Sequence, residues 1–302
     1  MGICDGRVVV VTGAGGGLGR AHALAFAAAG ARVVVNDIGT SREGEGESAA
    51  PAQRVVDEIR GLGGEAVANT DDVADWDGAR SLIHTALDAW EGLDTLVLNA
   101  GFLRDRMLTT MSIDEWDAVI RVHLRGHFAP LRHAASFWRE ESKAGRDVQA
   151  RVVMTSSGAG LLGSVGQGNY SAAKSGILGL MLVASAELRR YGVTVNAIAP
   201  AARTRMTEAV MADAMRRPES GFDAMAPENV SPLVVWLGSA ASGEVTGRCF
   251  EVEGGMVGLA DGWQHGPKVD KGDRWLPEEL GSVVRELVVK APPPAGVYGA
   301  SP

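Results

Sequence analysis

The chain has 302 residues, 46% of them hydrophobic and 22% charged, with a formal net charge of -8. That length is enough for one large core, and the acidic balance offers no basic field to a phosphate backbone, so nucleic acid is excluded as an expected partner. Cys4 and Cys249 have no Cys or His at ligand spacing, which indicates neither a disulfide framework nor a zinc site; no metal is expected.

Met1 to Asp5 lacks a charged n-region and an apolar h-region and runs directly into a strand at Val8–Val11, so a cytoplasmic location is expected. A helix over Leu18–Ala29 follows, then strand Val33–Val35, helix Ala52–Gly61, strand Ala66–Ala68, helix Asp75–Trp90 and strand Thr95–Leu98. The second half reads as helix Ile113–Glu140, strand Val152–Met154, helix Ser171–Tyr191, strand Val193–Ile198, helix Asn229–Leu237 and strand Cys249–Val252. Valine-rich runs without polar alternation suit strands covered on both faces, and their alternation with helices suits parallel βαβ units. The prediction is an α/β, doubly wound Rossmann fold with a mainly parallel seven-stranded sheet flanked by helices. Residues 1–255 are expected to form the dinucleotide-binding and catalytic domain, and 256–302, with its Ala291-Pro-Pro-Pro294 run, a partly ordered C-terminal extension. The apolar runs stop short of the roughly 20 residues that cross a bilayer, so no membrane partner is expected.

Ligands of such sheets sit beyond the carboxyl ends of the strands. After the first strand, Gly13-Ala-Gly-Gly-Gly17-Leu18-Gly19 opens into a helix, where glycines let backbone N–H groups approach a pyrophosphate at the positive helix end. A flexible hinge has the same composition, but the position between strand and helix favours phosphate binding. Asp37 closes the second strand about 18 residues later, where an acid accepts the adenosine ribose hydroxyls and repels a 2'-phosphate. NAD is therefore the expected cofactor, with Arg42 keeping NADP open and a solvated loop Asp as the plain alternative. Asp72 and Val73 after the third strand fit the adenine, and Asn99, Ala100 and Gly101 after the fourth fit a backbone lying against the cofactor.

Tyr170 and Lys174 are four residues apart and share one helical face. A phenol of pKa about 10 is a poor base at neutral pH, and a neighbouring ammonium favours its phenolate. Ser157, in the segment closing the fifth strand, reaches the same sheet edge and can hydrogen-bond a substrate oxygen as charge develops on it. Singly these residues read as a packed aromatic, a solvated charge and a turn former; together, behind a glycine-rich turn, they read as a hydride-transfer site.

Thr12 to Gly19, Asp72-Val73, Asn99-Ala-Gly101, Ser157, Tyr170-x-x-x-Lys174 and Asn196-Ala-Ile-Ala-Pro200 resemble the ordered motifs of the short-chain dehydrogenase/reductase family, from about Arg7 to Gly255. The resemblance implies Tyr170 as acid/base, Ser157 on the substrate oxygen and Lys174 on the nicotinamide ribose. Val34-Val-Asn-Asp37, Asn99 to Arg106, Val122 to Gly126, Gly168 to Lys174 and Ser231 to Trp236 look most like the dehydrogenase domain of peroxisomal multifunctional β-oxidation enzymes, which are related to hydroxysteroid dehydrogenases. That likeness implies a 3-hydroxyacyl-CoA or 3-oxoacyl thioester as substrate. A hydroxysteroid or other bulky ketone is the alternative, and a non-catalytic NAD-binding sensor or scaffold is a rival of another class.

Where many members carry Asn this chain has His123, either a catalytic holder of a relay water or simply a buried, satisfied ring. Thr204 is the expected partner of the carboxamide. Met206, Met211, Met215 and Met225 fit a substrate lid or core packing. Arg203, Arg205, Arg216 and Arg217 fit CoA phosphates or surface charge. Ala172, Ala173, Gly176 and Gly179 on the Tyr170 helix admit close approach of another subunit or of a neighbouring helix, and with the resemblance they point to a homodimer or homotetramer.

Overall fold

The computed structural model describes residues 2–39, 48–204, 215–260, 262–293 and 295–297. β1 (Val8–Thr12), β2 (Arg32–Asn36), β3 (Glu65–Asn69), β4 (Thr95–Leu98), β5 (Ala150–Thr155), β6 (Val193–Ala201), β7 (Cys249–Glu253) and β8 (Met256–Ala260) make one sheet in the order 3-2-1-4-5-6-7-8. Every neighbouring pair is parallel except β7 with β8, which pair antiparallel. The doubly wound fold is as expected; the strand count is eight rather than seven. The additional strand comes from residues after Gly255, where exposed Met256, Val257 and Leu259 gave no pattern of burial to read.

The β1 side chains alternate between two cores, as the two-residue repeat of a strand requires. Val8 and Val10 pack with Leu82 and Ile83 of α3 (Trp76–Trp90), Trp138 of α5 (Gly126–Lys143) and Ile177 and Met181 of α7 (Gly168–Leu188). Val9 and Val11 pack on the other face with Phe26 of α1 (Gly17–Ala28), Val55 and Ile59 of α2 (Ala50–Gly61) and Val234 of α8 (Ser231–Gly238). Both faces of the central strands are thereby dry, and the site is left at the carboxyl ends of the strands.

The helix expected over Ile113–Glu140 is interrupted: α4 (Ile113–Ile120) passes through a π-helical turn at Arg121–Arg125 before α5 begins. Such wide turns tend to occur at functional sites, and this one contains His123. Two further helices, α6 (Gly158–Leu162) and α9 (Pro277–Lys290), lie outside the expected set. Gly168–Tyr191 is long and apolar enough by composition to cross a membrane, contrary to the sequence reading that no run reached that length. Its Ala173, Ile177, Met181 and Ala184 are buried within the protein cores.

Candidate functional site

At the end of β1, Gly13 takes a left-handed φ of 62°, and a Cβ there would lie 2.7 Å from Ala100 Cα. A Cβ on Gly19 would meet the Gly13 carbonyl oxygen at 2.2 Å, so both positions exclude any side chain. Thr12 Oγ1 accepts the N–H groups of Asn99 at 2.9 Å and Ala100 at 3.1 Å, and Asn99 Nδ2 donates to the carbonyls of Thr12 and Gly13. Asn99 is thus a brace between β4 and the turn, a task that its place in the sequence did not disclose. Gly16 precedes α1 in an extended conformation without a side-chain cap, leaving the first N–H groups of Gly17, Leu18 and Gly19 to an outside acceptor. This cradle fits the pyrophosphate of a dinucleotide.

Asp37 stands at the lip of the turn. Its Oδ2 accepts from Gly15 N at 2.8 Å and its Oδ1 from Gly39 N at 2.7 Å. On the next loop, Asp72 Oδ1 accepts from Ala74 N at 2.8 Å while Oδ2 pairs with Arg121 at 2.5 Å, so its carboxylate caps its own loop. Val73 is buried beneath Gly126. Across the cleft, the methyl of Thr204 lies 3.5 Å from where a Cβ on Gly17 would stand, close over the turn. Arg42, Arg205, Met206 and Met211 lie outside the described residues.

The carboxyl end of β5 supplies Ser157, whose Oγ accepts from Ala159 N at 3.2 Å and caps α6. Ser156 Oγ donates to Lys174 O at 2.9 Å and binds α7 to the strand. Lys174 is buried, and its Nζ donates to the Thr155 carbonyl at 2.6 Å and stands 5.5 Å from the centre of the Tyr170 ring. Burial holds its amine down to about 7. Asn169, fully buried beside Tyr170, donates to the carbonyls of Arg104 at 3.0 Å and Glu115 at 3.1 Å while its Oδ1 accepts from Tyr170 N. It anchors the start of α7, a role that sequence reading missed although the residue is adjacent to the phenol.

His123 meets Tyr170 edge to face, with ring centres 5.2 Å apart and planes at 87°. Its ring fills the space that Gly101 leaves open: a Cβ on Gly101 would fall 2.1 Å from His123 Cε1. Nε2 lies 2.8 Å from the Phe102 carbonyl and 3.2 Å from the Phe102 N, and Nδ1 is buried without a partner. Burial first, then Lys174, pushes its pKa well below the usual imidazole value, so the ring is neutral at pH 7. Tyr170, Lys174, His123 and Gly101 therefore share one cluster, with Ser157 two residues after Thr155 on the same sheet edge.

Arg203 is paired with Asp223, and Arg217, largely exposed, lies 3.5 Å from the same carboxylate. Met215 is buried, and the Met225 carbonyl accepts from Arg203 N. Among the described residues no group of His, Cys, Asp or Glu is arranged for a metal.

A doubly wound sheet with a glycine-rich turn at the end of β1 and a Tyr-Lys pair at the start of α7 is the architecture of a dinucleotide-binding protein. The short chain dehydrogenase family model matches residues 7–215. Peroxisomal multifunctional enzyme type 2 of Mus musculus is 48% identical over 254 residues, which are 84% of this chain but 32% of that protein. The chain thus spans about a third of that multifunctional relative. Hydroxyacyl-CoA dehydrogenase ChsB1 of Mycobacterium tuberculosis is 45% identical over 293 residues, covering 93% of this chain and 88% of the relative. The crystal structure of a short chain dehydrogenase from Mycobacterium avium superposes with a TM-score of 0.89 at 63% identity, over 99% of this chain and 100% of that one. The chain belongs to the short-chain dehydrogenase family, oxidoreductases of CH–OH groups that use a nicotinamide cofactor.

Proposed function

We propose that the chain oxidises a 3-hydroxyacyl thioester to the 3-oxoacyl thioester with NAD, or runs the reverse reduction. The observation that carries the reading is the Tyr170–Lys174 pair, with Ser157 on the same sheet edge, in a fold whose β1–α1 turn admits no side chain at Gly13 or Gly19. Bound NAD supplies the hydride acceptor. Tyr170 takes the proton of the substrate hydroxyl and Ser157 Oγ hydrogen-bonds the same oxygen as its charge changes. Lys174 holds positive charge beside the phenol: an amine poised near 7 regains its proton as a phenolate forms next to it. His123, through its unpartnered Nδ1, accepts a hydrogen bond from a water on the path of the Tyr170 proton to solvent.

Asp37 supports NAD over NADP, because a carboxylate at the end of β2 disfavours a 2'-phosphate. Gly17, Leu18 and Gly19 offer their N–H groups to the pyrophosphate, Val73 and Asp72 flank the adenine, Ala100 and Gly101 line the cofactor path, and Thr204 meets the carboxamide. Residues 1–255 form the working unit and 256–302 an extension whose first strand, β8, completes the edge of the sheet, in a cytoplasmic homo-oligomer. Support for oligomerisation comes from exposed Leu182 and Val183 on α7, whereas Gly176 serves close packing on Leu124 within the chain. The names of relatives matched here, a hydroxyacyl-CoA dehydrogenase and a 3-oxoacyl-[acyl-carrier-protein] reductase, support the thioester class.

The test is nicotinamide absorbance across 3-hydroxyacyl-CoA esters, hydroxysteroids and simple alcohols, with NAD and NADP in parallel. Turnover confined to the thioesters with NAD is expected. Preference for a hydroxysteroid would transfer the site to that substrate, and silence on the whole panel would contradict the proposal.

A further inference from the structure

We propose that Arg203 is a positioning residue: clasped to Asp223, it holds Thr204 over the nucleotide-binding turn. The proposal rests on the functional reading only in its second half, the consequence for the nucleotide.

The clasp is built from three directions. Arg203 Nη2 donates to Asp223 Oδ2, Nη1 donates to the Met215 carbonyl at 3.1 Å, and the backbone N of Arg203 donates to the Met225 carbonyl at 2.7 Å. Only 10% of the Arg203 side chain and 20% of the Asp223 side chain reach solvent. A guanidinium so enclosed is costly to desolvate unless its N–H groups are met, and here a carboxylate and a carbonyl meet two of its nitrogens.

Asp223 is itself fixed to rigid elements. Asn229 Nδ2, just ahead of α8, donates to the carbonyls of Asp223 at 2.8 Å and Ala224 at 3.1 Å. Ala224 packs against Gly254 in the β7–β8 turn, where a Cβ would stand 3.2 Å from Ala224 Cβ and φ is +54°. The carboxylate therefore belongs to the frame of the sheet and α8, and the arginine that it grips leaves the end of β6. Thr204 comes next in the chain, and its Cγ2 lies 3.5 Å from the Cβ position of Gly17, a neighbour of the N–H groups that open α1. Holding Arg203 fixes the strand exit; fixing the exit sets where the Thr204 hydroxyl stands relative to the turn.

An unclasped exit lets Thr204 sample positions away from the turn, so nucleotide affinity falls. Two single variants, one exchanged pair and two readouts test this. Asp223→Asn removes the charge from the more exposed partner and keeps the fold; Arg203→Met removes the fork; the exchanged pair Arg203→Asp/Asp223→Arg restores the attraction. Fluorescence titration of NADH in the whole protein is expected to weaken by about tenfold in each single variant, with recovery in the exchanged pair. Hydrogen exchange of the peptide covering Ala199 to Thr204, measured without nucleotide, should quicken by about tenfold in the singles and return toward the wild-type rate in the exchanged pair.

Single variants that match the wild type in both readouts overturn the clasp, and so does a loss of thermal stability that leaves NADH affinity unchanged. A wild-type protein that binds neither NADH nor NADPH overturns the functional reading together with the nucleotide half of the proposal. The exchange measurement then decides by itself whether Arg203 and Asp223 hold the strand exit.

Discussion

Lys174 Nζ stands 5.5 Å from the centre of the Tyr170 ring, one helical turn away on α7, and is buried with the Thr155 carbonyl as its hydrogen-bond partner. An amine in that setting loses solvation without gaining a carboxylate, and burial lowers it from 10.5 to about 7. Between those two values the unfolded chain holds a proton that the folded chain has released. Unfolding then takes up a proton, and stability rises with pH, by at most about 1.4 kcal/mol per unit. Urea unfolding of the nucleotide-free protein from pH 7 to 9 should show that rise, and Lys174→Met should flatten it. Parallel curves for the two proteins would mean that the amine is not held in this way.

His123 and Gly101 make a second linked pair. The imidazole occupies the volume a Cβ would need, so Gly101→Ala should cost about 1–3 kcal/mol of stability and displace the ring from Tyr170. Adding His123→Ala should return part of the lost stability while leaving turnover low, because the room is restored and the ring is not. Calorimetry of the wild type and the two variants checks this; a harmless Gly101→Ala would show that the two residues do not compete for space.

Because His123 is neutral throughout the physiological range, with burial and then Lys174 as the causes, its titration should not appear in the rate profile. His123→Asn should leave the shape of log kcat/KM against pH between 5.5 and 7.5, a window of about two units around the ordinary imidazole value, unchanged. An inflection near pH 6.5, about the free-histidine value, that vanishes in the variant would contradict a neutral ring.

Asp37 tests cofactor choice. Its carboxylate joins Gly15 N to Gly39 N, so Asp37→Ser should both loosen the turn and remove the charge that repels a 2'-phosphate. The NADH to NADPH affinity ratio should fall by roughly tenfold, about 1.4 kcal/mol, when both are titrated by fluorescence. A ratio equal to that of the wild type would remove Asp37 from the basis of the preference.

The central strands were legible because Val8–Val11, Thr95–Leu98 and Val152–Met154 are covered on both faces and are almost wholly apolar, Thr95 being buried with its hydroxyl bonded to the Gly238 carbonyl. Gly13, Ser157, Tyr170 and Lys174 were legible by their spacing after strand ends. β8 and α9 were not, since both expose much of their apolar surface and neither displays a pattern that a core would impose. The wide turn at Arg121–Arg125 follows from the packing of His123 against Gly101 and Phe102, a tertiary contact with no local signature. The bracing roles of Asn169 and Asn99 left no mark in the sequence because their work is to bond distant carbonyls, and Arg203 could not be told from surface charge before Asp223 was brought beside it.

The most direct test of the account is a single turnover of NAD and a 3-hydroxyacyl-CoA by the wild type and by Tyr170→Phe, with NADH affinity measured alongside. The account predicts NADH formation slowed by at least about a hundredfold in the variant while its affinity for NADH stays within about threefold. Equal rates in the two proteins, or loss of nucleotide binding in step with the rate, would contradict proton transfer by the Tyr170 phenol.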